Sequence, residues 1–319
     1  MKELKINKND AEQRLDKFLM KTFKTLPTSL MYKAIRKKDI KVNSKRCKPD
    51  TRLVAGDILT LYIKEEFLET TYDEYDFLKA PKNLDIIYED DNILLVNKKP
   101  GLLVHPDENY HFDSLIARIQ HYLYEKGEYK PSDENSFVPA LVNRIDRNTG
   151  GIVIAAKNAE SLRILNKKMK ARELKKFYLC IVHAAFKKKD DVLTAYLEKN
   201  ENQNRVYIHA QPKENTKTIN TKYHVIAERG GFSLLEVELL TGRTHQIRAH
   251  MAFLGHPLLG DSKYGRNSLN KEKAYKWQAL YSHKLRFEFS TSAGILSYLN
   301  RKEFTAPKVW FEDDFYKFK

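Results

Sequence analysis

A chain of 319 residues, 42% hydrophobic and 11% aromatic, is long enough for a large domain and a small one, and this composition excludes disorder as its main state. No apolar run approaches the ~18 residues that a membrane-spanning helix needs, and residues 1–5 lack the apolar stretch of a secretory signal. Two cysteines, Cys47 and Cys180, are too few for a disulfide framework or a structural zinc site, so a reducing, cytoplasmic setting is expected.

The net charge of +15 is unevenly spread, because residues 1–64 hold 17 Lys and Arg against 7 Asp and Glu. Such a local surplus reads as a footprint for a polyanion, with a solvated basic surface as the plainer alternative. In this stretch Asn9 or Asp10 is expected to cap a helix carrying Leu15, Phe18, Leu19 and Phe23 at helical spacing. A second helix is expected from Thr28 or Ser29, burying Leu30, Met31, Ala34 and Ile35 and exposing Lys33, Arg36, Lys37 and Lys38. Ile40 and Val42 alternate before an Asn43-Ser44 turn, and Leu59, Leu61 and Ile63 alternate after Gly56-Asp57, as short strands do. A small α/β domain over 1–64 follows from these elements. Residues 65–81, with Glu65, Glu66, Glu69, Asp73, Glu74 and Asp76, read as an acidic linker extended by self-repulsion.

Residues 84–89 and 93–98 read as a hairpin around Asp90-Asp91-Asn92, ended by Pro100-Gly101. His105, beside Pro106, has no visible partner and reads as a structural histidine before a general base. A helix over 114–126 stacks Leu115, Ile116, Ile119 and Leu123, and a polar loop follows it. Next comes Asn143-Arg144-Ile145-Asp146-Arg147-Asn148-Thr149-Gly150-Gly151, one carboxylate between two arginines before a glycine break. Taken alone, Asp146 fits an Asx turn as readily as a reactive group. A buried strand over 151–156, a helix capped by Asn158, and a strand over 176–182 follow. Residues 186–220 suggest a hairpin excursion, and 223–226 with 233–239 a further hairpin. A helix after Thr241-Gly242-Arg243-Thr244-His245 sets Ile247, Met251 and Leu254 on one side and Arg248 about 100° away, free to face a cleft. Strands near 281–289 close the domain, which extends over 82–319.

Several chemistries lack their residues. There is no Gly-rich dinucleotide turn after a strand, no phosphate-cradling Walker loop and no serine elbow. His245 and His250 are five apart, so they do not share a helix face as metal ligands at i, i+4 would. No metal site and no cofactor are expected. A carboxylate, arginines and aromatics on a basic chain remain.

Two resemblances join these pieces. Arg14-Leu15-Asp16-Lys17-Phe18-Leu19, Ile40-Lys41-Val42-Asn43, Lys48-Pro49 and Gly56-Asp57-Ile58-Leu59 resemble the RNA-binding module of ribosomal protein S-four and its relatives, although Lys38 stands where many relatives have Gly. That resemblance implies phosphate contacts from Arg36, Lys37, Lys38 and Lys41. The Asp146 stretch, Tyr88-Glu89-Asp90, Val96-Asn97-Lys98, Pro100-Gly101, His105-Pro106 and Lys176-Phe177-Tyr178 resemble the RluA/RluD family of pseudouridine synthases. So do Gly242-Arg243-Thr244-His245-Gln246-Ile247-Arg248, Gly255-His256-Pro257 and Gly260-Asp261. The chain departs where it has Asn143 for the family's His, Gly150 for its Ser, an additional lysine at Lys98-Lys99, and Leu280-Tyr281-Ser282-His283 for its Leu-His-Ala.

The resemblance implies an α+β pseudouridine synthase fold with a mixed, largely antiparallel sheet and a central cleft. It implies isomerisation of uridine to pseudouridine in RNA, most naturally large-subunit ribosomal RNA or a pre-ribosomal particle, by a cytoplasmic monomer that binds no membrane. Asp146 would be the catalytic carboxylate on a flipped-out uridine, with Arg248 as its ion-pair partner and Tyr178 stacked on the base and available to take the C5 proton late in the reaction. An arginine within ~4–6 Å opposes the effect of burial on a carboxylate. Arg144 would hold the flipped conformation, and Ile247 and Leu239 would wall the uracil pocket. Attack on the sugar and removal of a ribose proton both suit Asp146. Action on tRNA, a non-catalytic ribosome-assembly role and an RNA methyltransferase are the alternatives, the last lacking its glycine-rich cofactor loop.

Overall fold

The computed structural model describes residues 1–69, 75–107, 112–265 and 275–319. The chain forms two compact units, one of Met1–Asn83, Asp107–Ala140 and Ala156–Arg163, the other of Leu84–Pro106, Leu141–Ala155 and Ile164–Lys319. This division differs from the one expected at 64 and 81. The reason lies in the N-terminal segment, whose polar groups are tied to distant chain. Asp10, fully buried, accepts from Asn135 Nδ2 (2.6 Å) and Ser136 Oγ (2.7 Å), and Asn9 Oδ1 accepts from the Ala159 amide.

In the first unit a four-stranded sheet runs in the order β1 (Lys2–Lys5), β4 (Ile58–Leu61), β2 (Ile40–Val42), β3 (Lys45–Arg46), with β1 unforeseen in the sequence. Helices α1 (Leu15–Thr22) and α2 (Thr28–Lys37) share with it a core of Leu15, Phe18, Leu19, Met31, Ile40 and Leu59. The cap expected at Asn9 or Asp10 is corrected to Arg14, which makes no side-chain cap bond, since Asp10 is already occupied. Lys38 ends α2 in the left-handed region (φ +72°), a conformation that favours glycine and explains why relatives carry it there. The acidic segment is not simply extended. Its described residues form 3-10 turns at Glu65–Phe67 and Asp76–Lys79, and Leu68 and Phe77 bury their side chains; Asp73 and Glu74 lie outside the described residues. Helix α3 (Leu115–Glu125), capped by Ser114 Oγ accepting from the Ala117 amide, completes this unit's longer helices.

The second unit is built on β5 (Ile86–Glu89), β6 (Ile93–Lys98), β7 (Ala140–Leu141) and β8 (Gly150–Ala156), then β9 (Leu174–His183) and β10 (Asp190–Asn200). After these come β11 (Arg205–His209), β12 (Lys217–Arg229), β13 (Phe232–Leu239), β14 (Leu280–Phe287) and β15 (Glu303–Thr305). The main path of this sheet is β11-β10-β12-β13-β9-β14-β8-β6-β5, with β15 on β14 and β7 on β8. From β11 to β14 every pairing is antiparallel, whereas β14 lies parallel to β8, which makes the sheet mixed as expected. The excursion expected over 186–220 is the long pair β10 and β12 with β11 at its edge. Helix α4 (Ala159–Lys170) follows β8, its Asn158 Oδ1 accepting from the Ser161 amide, and α5 (Gln246–Phe253) follows β13. No described helix is long and apolar enough to cross a membrane.

Candidate active site

Asp146 sits in the turn between β7 and β8, where its carbonyl accepts from the Thr149 amide (3.0 Å). Two devices hold this loop. Asn143 Oδ1 accepts from the Ile154 amide (2.8 Å), splicing the loop's start onto β8. Lys98, at the end of β6 and almost wholly buried, donates its ammonium hydrogens to the carbonyls of Arg147 (2.8 Å), Leu102 (2.7 Å) and Lys99 (3.1 Å). Burial pushes its pKa down to about 7, against the pull of the Asp146 charge. The sequence marked Lys98 as a family position without showing this clamp.

The glycines after Asp146 are demanded by close packing. Gly151 has φ +109°, and a Cβ on it would overlap the Ser282 backbone of the parallel neighbour β14. A Cβ on Gly150 would overlap the Tyr281 ring, whose hydroxyl donates to Asn97 Oδ1 (2.7 Å). Two departures from the family pattern, Gly for Ser and Tyr for His, thus fill one space. Gly150→Ser should destabilise the fold by about 1–3 kcal/mol through overpacking, and Tyr281→His added to it should recover most of the loss. Urea unfolding of the single and double variants checks this, and a neutral Gly150→Ser would refute the coupling.

Arg248 reaches the loop from α5. Its Nη1 lies 2.7 Å from Asp146 Oδ2, while Nε and Nη2 grip Asp261 at 2.7 and 3.0 Å. Its guanidinium also lies 5.3 Å from the centroid of the Tyr264 ring. Burial works against the Arg248 charge, yet Asp261 and Asp146 outweigh it and raise its pKa. Burial likewise opposes ionisation of Asp261, but Arg248 and the amides of Tyr264 and Lys263 hold its pKa below the usual carboxylate range. The side chain of Asp146 keeps 24% of its surface exposed, and its Oδ1 accepts no hydrogen bond among the described residues. One carboxylate oxygen is therefore pinned by a buried arginine and the other is open.

Tyr178, on β9 opposite Val237 and Ser282, is buried, and burial pushes its pKa up to about 12 despite a hydrogen bond with Ser282. The Asp146 charge acts on it in the same direction. His245, in the left-handed region (φ +52°) before α5, places Nε2 3.9 Å from Asp146 Oδ2 and hydrogen-bonds through Nδ1 to the Tyr264 hydroxyl (3.0 Å). Burial lowers its pKa, against the pull of the Asp146 charge. In the sequence His245 is one residue of the family-like stretch 242–248 and, with its spacing to His250, a poor metal ligand; nothing there signals its place beside the carboxylate.

The remaining expected residues are more dispersed. Ile247 is buried on α5, and Leu239 is half-buried at the end of β13 opposite Thr221. Arg144 is exposed. His105 is itself exposed rather than a satisfied interior histidine. Arg36, Lys37 and Lys38 are exposed around the end of α2, and Lys41 on β2 lies with its ammonium 5.3 Å from the Tyr62 ring centroid.

Residues 92–253 match the family model described as RNA pseudouridylate synthase, a span that runs from β6 through Asp146 and Tyr178 to the end of α5. An uncharacterised RNA pseudouridine synthase of Mycoplasma capricolum is 35% identical over 96% of this chain and 97% of its own length. The ribosomal large subunit pseudouridine synthase C of Haemophilus ducreyi is 32% identical over 90% of this chain and 88% of its own. Among solved structures, human RNA pseudouridylate synthase domain containing 4 superposes with a TM-score of 0.57 at 19% identity, covering 75% of this chain and 94% of the human one, a likeness of fold.

Proposed function

We propose, since this chain belongs to the RNA pseudouridylate synthase family, that it isomerises uridine in large-subunit ribosomal RNA with Asp146 as its catalytic carboxylate. That it is an RNA pseudouridine synthase follows from the family. The substrate class is proposed from relatives such as that of Haemophilus ducreyi, whose name specifies the ribosomal large subunit. The observation that carries the role of Asp146 is the split environment of its carboxylate, with Oδ2 held by Arg248 and Oδ1 open.

The reaction breaks the N1–C1′ glycosidic bond, turns the uracil, joins C5 to C1′, releases the C5 proton and leaves N1 protonated in its place. It is redox-neutral and adds no group from outside. The target uridine leaves its stack at a cost of a few kcal/mol. Asp146 Oδ1 then attacks C1′ or takes a ribose proton, and Arg248, on Oδ2, keeps the carboxylate aimed. With its pKa near 12, Tyr178 is a neutral phenol at pH 7. It suits stacking and hydrogen bonding better than early proton abstraction. Exposed Arg144 is placed to hold the extruded strand, while Ile247 and Leu239 supply apolar surface for uracil.

Arg36, Lys37, Lys38 and Lys41 would carry RNA phosphates on a module like that of ribosomal protein S-four. One chain brings Asp146, Tyr178 and Arg248 together, so a monomer suffices, and ribosomal RNA or a pre-ribosomal particle in the cytoplasm is the proposed setting. Purified protein without added cofactor should convert uridine in a large-subunit ribosomal RNA transcript, read by carbodiimide labelling and reverse-transcription stops. Stops on tRNA transcripts alone would move the substrate to tRNA, and stops on neither would refute the ribosomal assignment.

A further inference from the structure

A cleft of about 640 Å³ lies wholly within the first unit, between the segment around Lys8 and Glu12, the turn carrying Arg52, and the first turns of α4 with Glu160 and Arg163. Its volume falls in the range of ligand sites, roughly 300–1,000 Å³. Two arginines in it are fixed by the same short segment. Arg52 Nη1 donates to the Glu12 carbonyl (2.6 Å), and Arg163 Nη1 donates to the Ala11 carbonyl (3.1 Å). Neither arginine forms an ion pair among the described residues, and Lys8 has no partner there at all. Each guanidinium therefore keeps most of its five donors free while its position is already set.

Three unpaired cations against two carboxylates leave the hollow with a net positive charge that favours an anionic ligand. Glu12 and Glu160 line the same hollow and pair with none of them. That mixture suits a molecule with both anionic and hydroxyl groups better than a bare anion. A ribose-phosphate chain has both: its phosphates fit the planar guanidinium forks, and its 2′-hydroxyls can donate to carboxylates. We propose that this cleft is an RNA-backbone site, with Lys8, Arg52 and Arg163 on phosphates and Glu12 and Glu160 on ribose 2′-hydroxyls. It shares no residue with the basic end of α2 or with the Asp146 site. The inference rests on the RNA reading above and names where further substrate backbone is held.

The test uses the full-length chain and two homopolymers, poly(U) and poly(dU), titrated across a series of KCl concentrations. Lys8→Ala with Arg163→Gln should lower the steepness of the log affinity against log salt line for poly(U) by about 1.4, since each single-strand phosphate contact contributes about 0.7. Glu12→Ala with Glu160→Ala should reduce the preference for poly(U) over poly(dU) several-fold. An unchanged slope in the first variant overturns the phosphate assignment, and an unchanged preference in the second overturns the hydroxyl assignment. Lys8→Ala alone, at an exposed side chain with no partner, serves if the double variant fails to fold, with an expected slope change of about 0.7. The uridine-conversion assay is independent of both readouts. If conversion occurs and the slopes do not move, the cleft fails while the enzyme reading stands; if the slopes move without conversion, the reverse holds.

Discussion

Asp146→Ala should abolish conversion of uridine, by about 10⁴-fold or more, while affinity for the RNA stays within a few-fold. The large effect follows from the chemistry. Without the carboxylate nothing among the described residues supplies the open anionic oxygen at that point, because Asp261, the other acid on Arg248, is fully buried and has both oxygens on the guanidinium. The small effect on affinity follows from the geometry, since Asp146 is one anion facing a polyanion and contributes little attraction. The change should also leave the fold nearly intact, because Arg248 keeps its two bonds to Asp261. Gel-shift titration and the conversion assay on one preparation separate the two effects. Full conversion by the variant would remove Asp146 from the mechanism.

Asp261→Ala should destabilise the chain at pH 7 by about 3 kcal/mol, since the buried guanidinium would lose its two-point partner and keep only Asp146. Arg248 would lose both strong contacts to Asp261, and the amides of Lys263 and Tyr264 would lose their acceptor. Arg248 would also swing, and the aim of Asp146 with it. The pH dependence has a definite sign. The folded-state pKa of Asp261 lies below its unfolded value, so its stabilisation is fully present above about pH 4 and fades as pH falls through the folded value. Wild type and variant should therefore differ most at neutral pH and converge in acid. Urea unfolding at pH 7 and pH 3 measures both points. Equal stabilities at pH 7 would mean that the pair gives no net hold on the loop. Arg248→Lys is a gentler probe: one ammonium cannot grip Asp261 in two places and still reach Asp146, so turnover should fall with less loss of stability.

What the sequence disclosed, and what it withheld, divides by range of interaction. Periodic apolar residues set α2, α3, β8 and β13 close to where they lie, because each element's buried face is written in its own residues. The facing of Arg248 was legible from its offset from Ile247 on a helix. Its second partner was not, since Asp261 lies thirteen residues on in a loop with no periodicity. Lys98 stands in the family-like stretch Val96-Asn97-Lys98, but only three converging carbonyls, brought together in space, make it a clamp. Asp10 was read as a helix cap by its type and place; tertiary partners at Asn135 and Ser136 claim it instead. The acidic run was read by its charges, while Leu68 and Phe77 within it decide its described conformation. Gly150 and Tyr281 each looked like an isolated departure, and contact in space makes them one change.

The central claim is that the open oxygen of Asp146 drives a reaction in which C5 of uracil loses its hydrogen. RNA transcribed with uridine tritiated at C5 reports that loss directly as tritium in the solvent. The wild-type chain, with RNA and buffer alone, should release tritium in step with the reverse-transcription stops at alkali-resistant carbodiimide adducts, and Asp146→Ala should release none above background. Release by the variant at the wild-type rate, or stops from wild type without tritium release, would contradict the account.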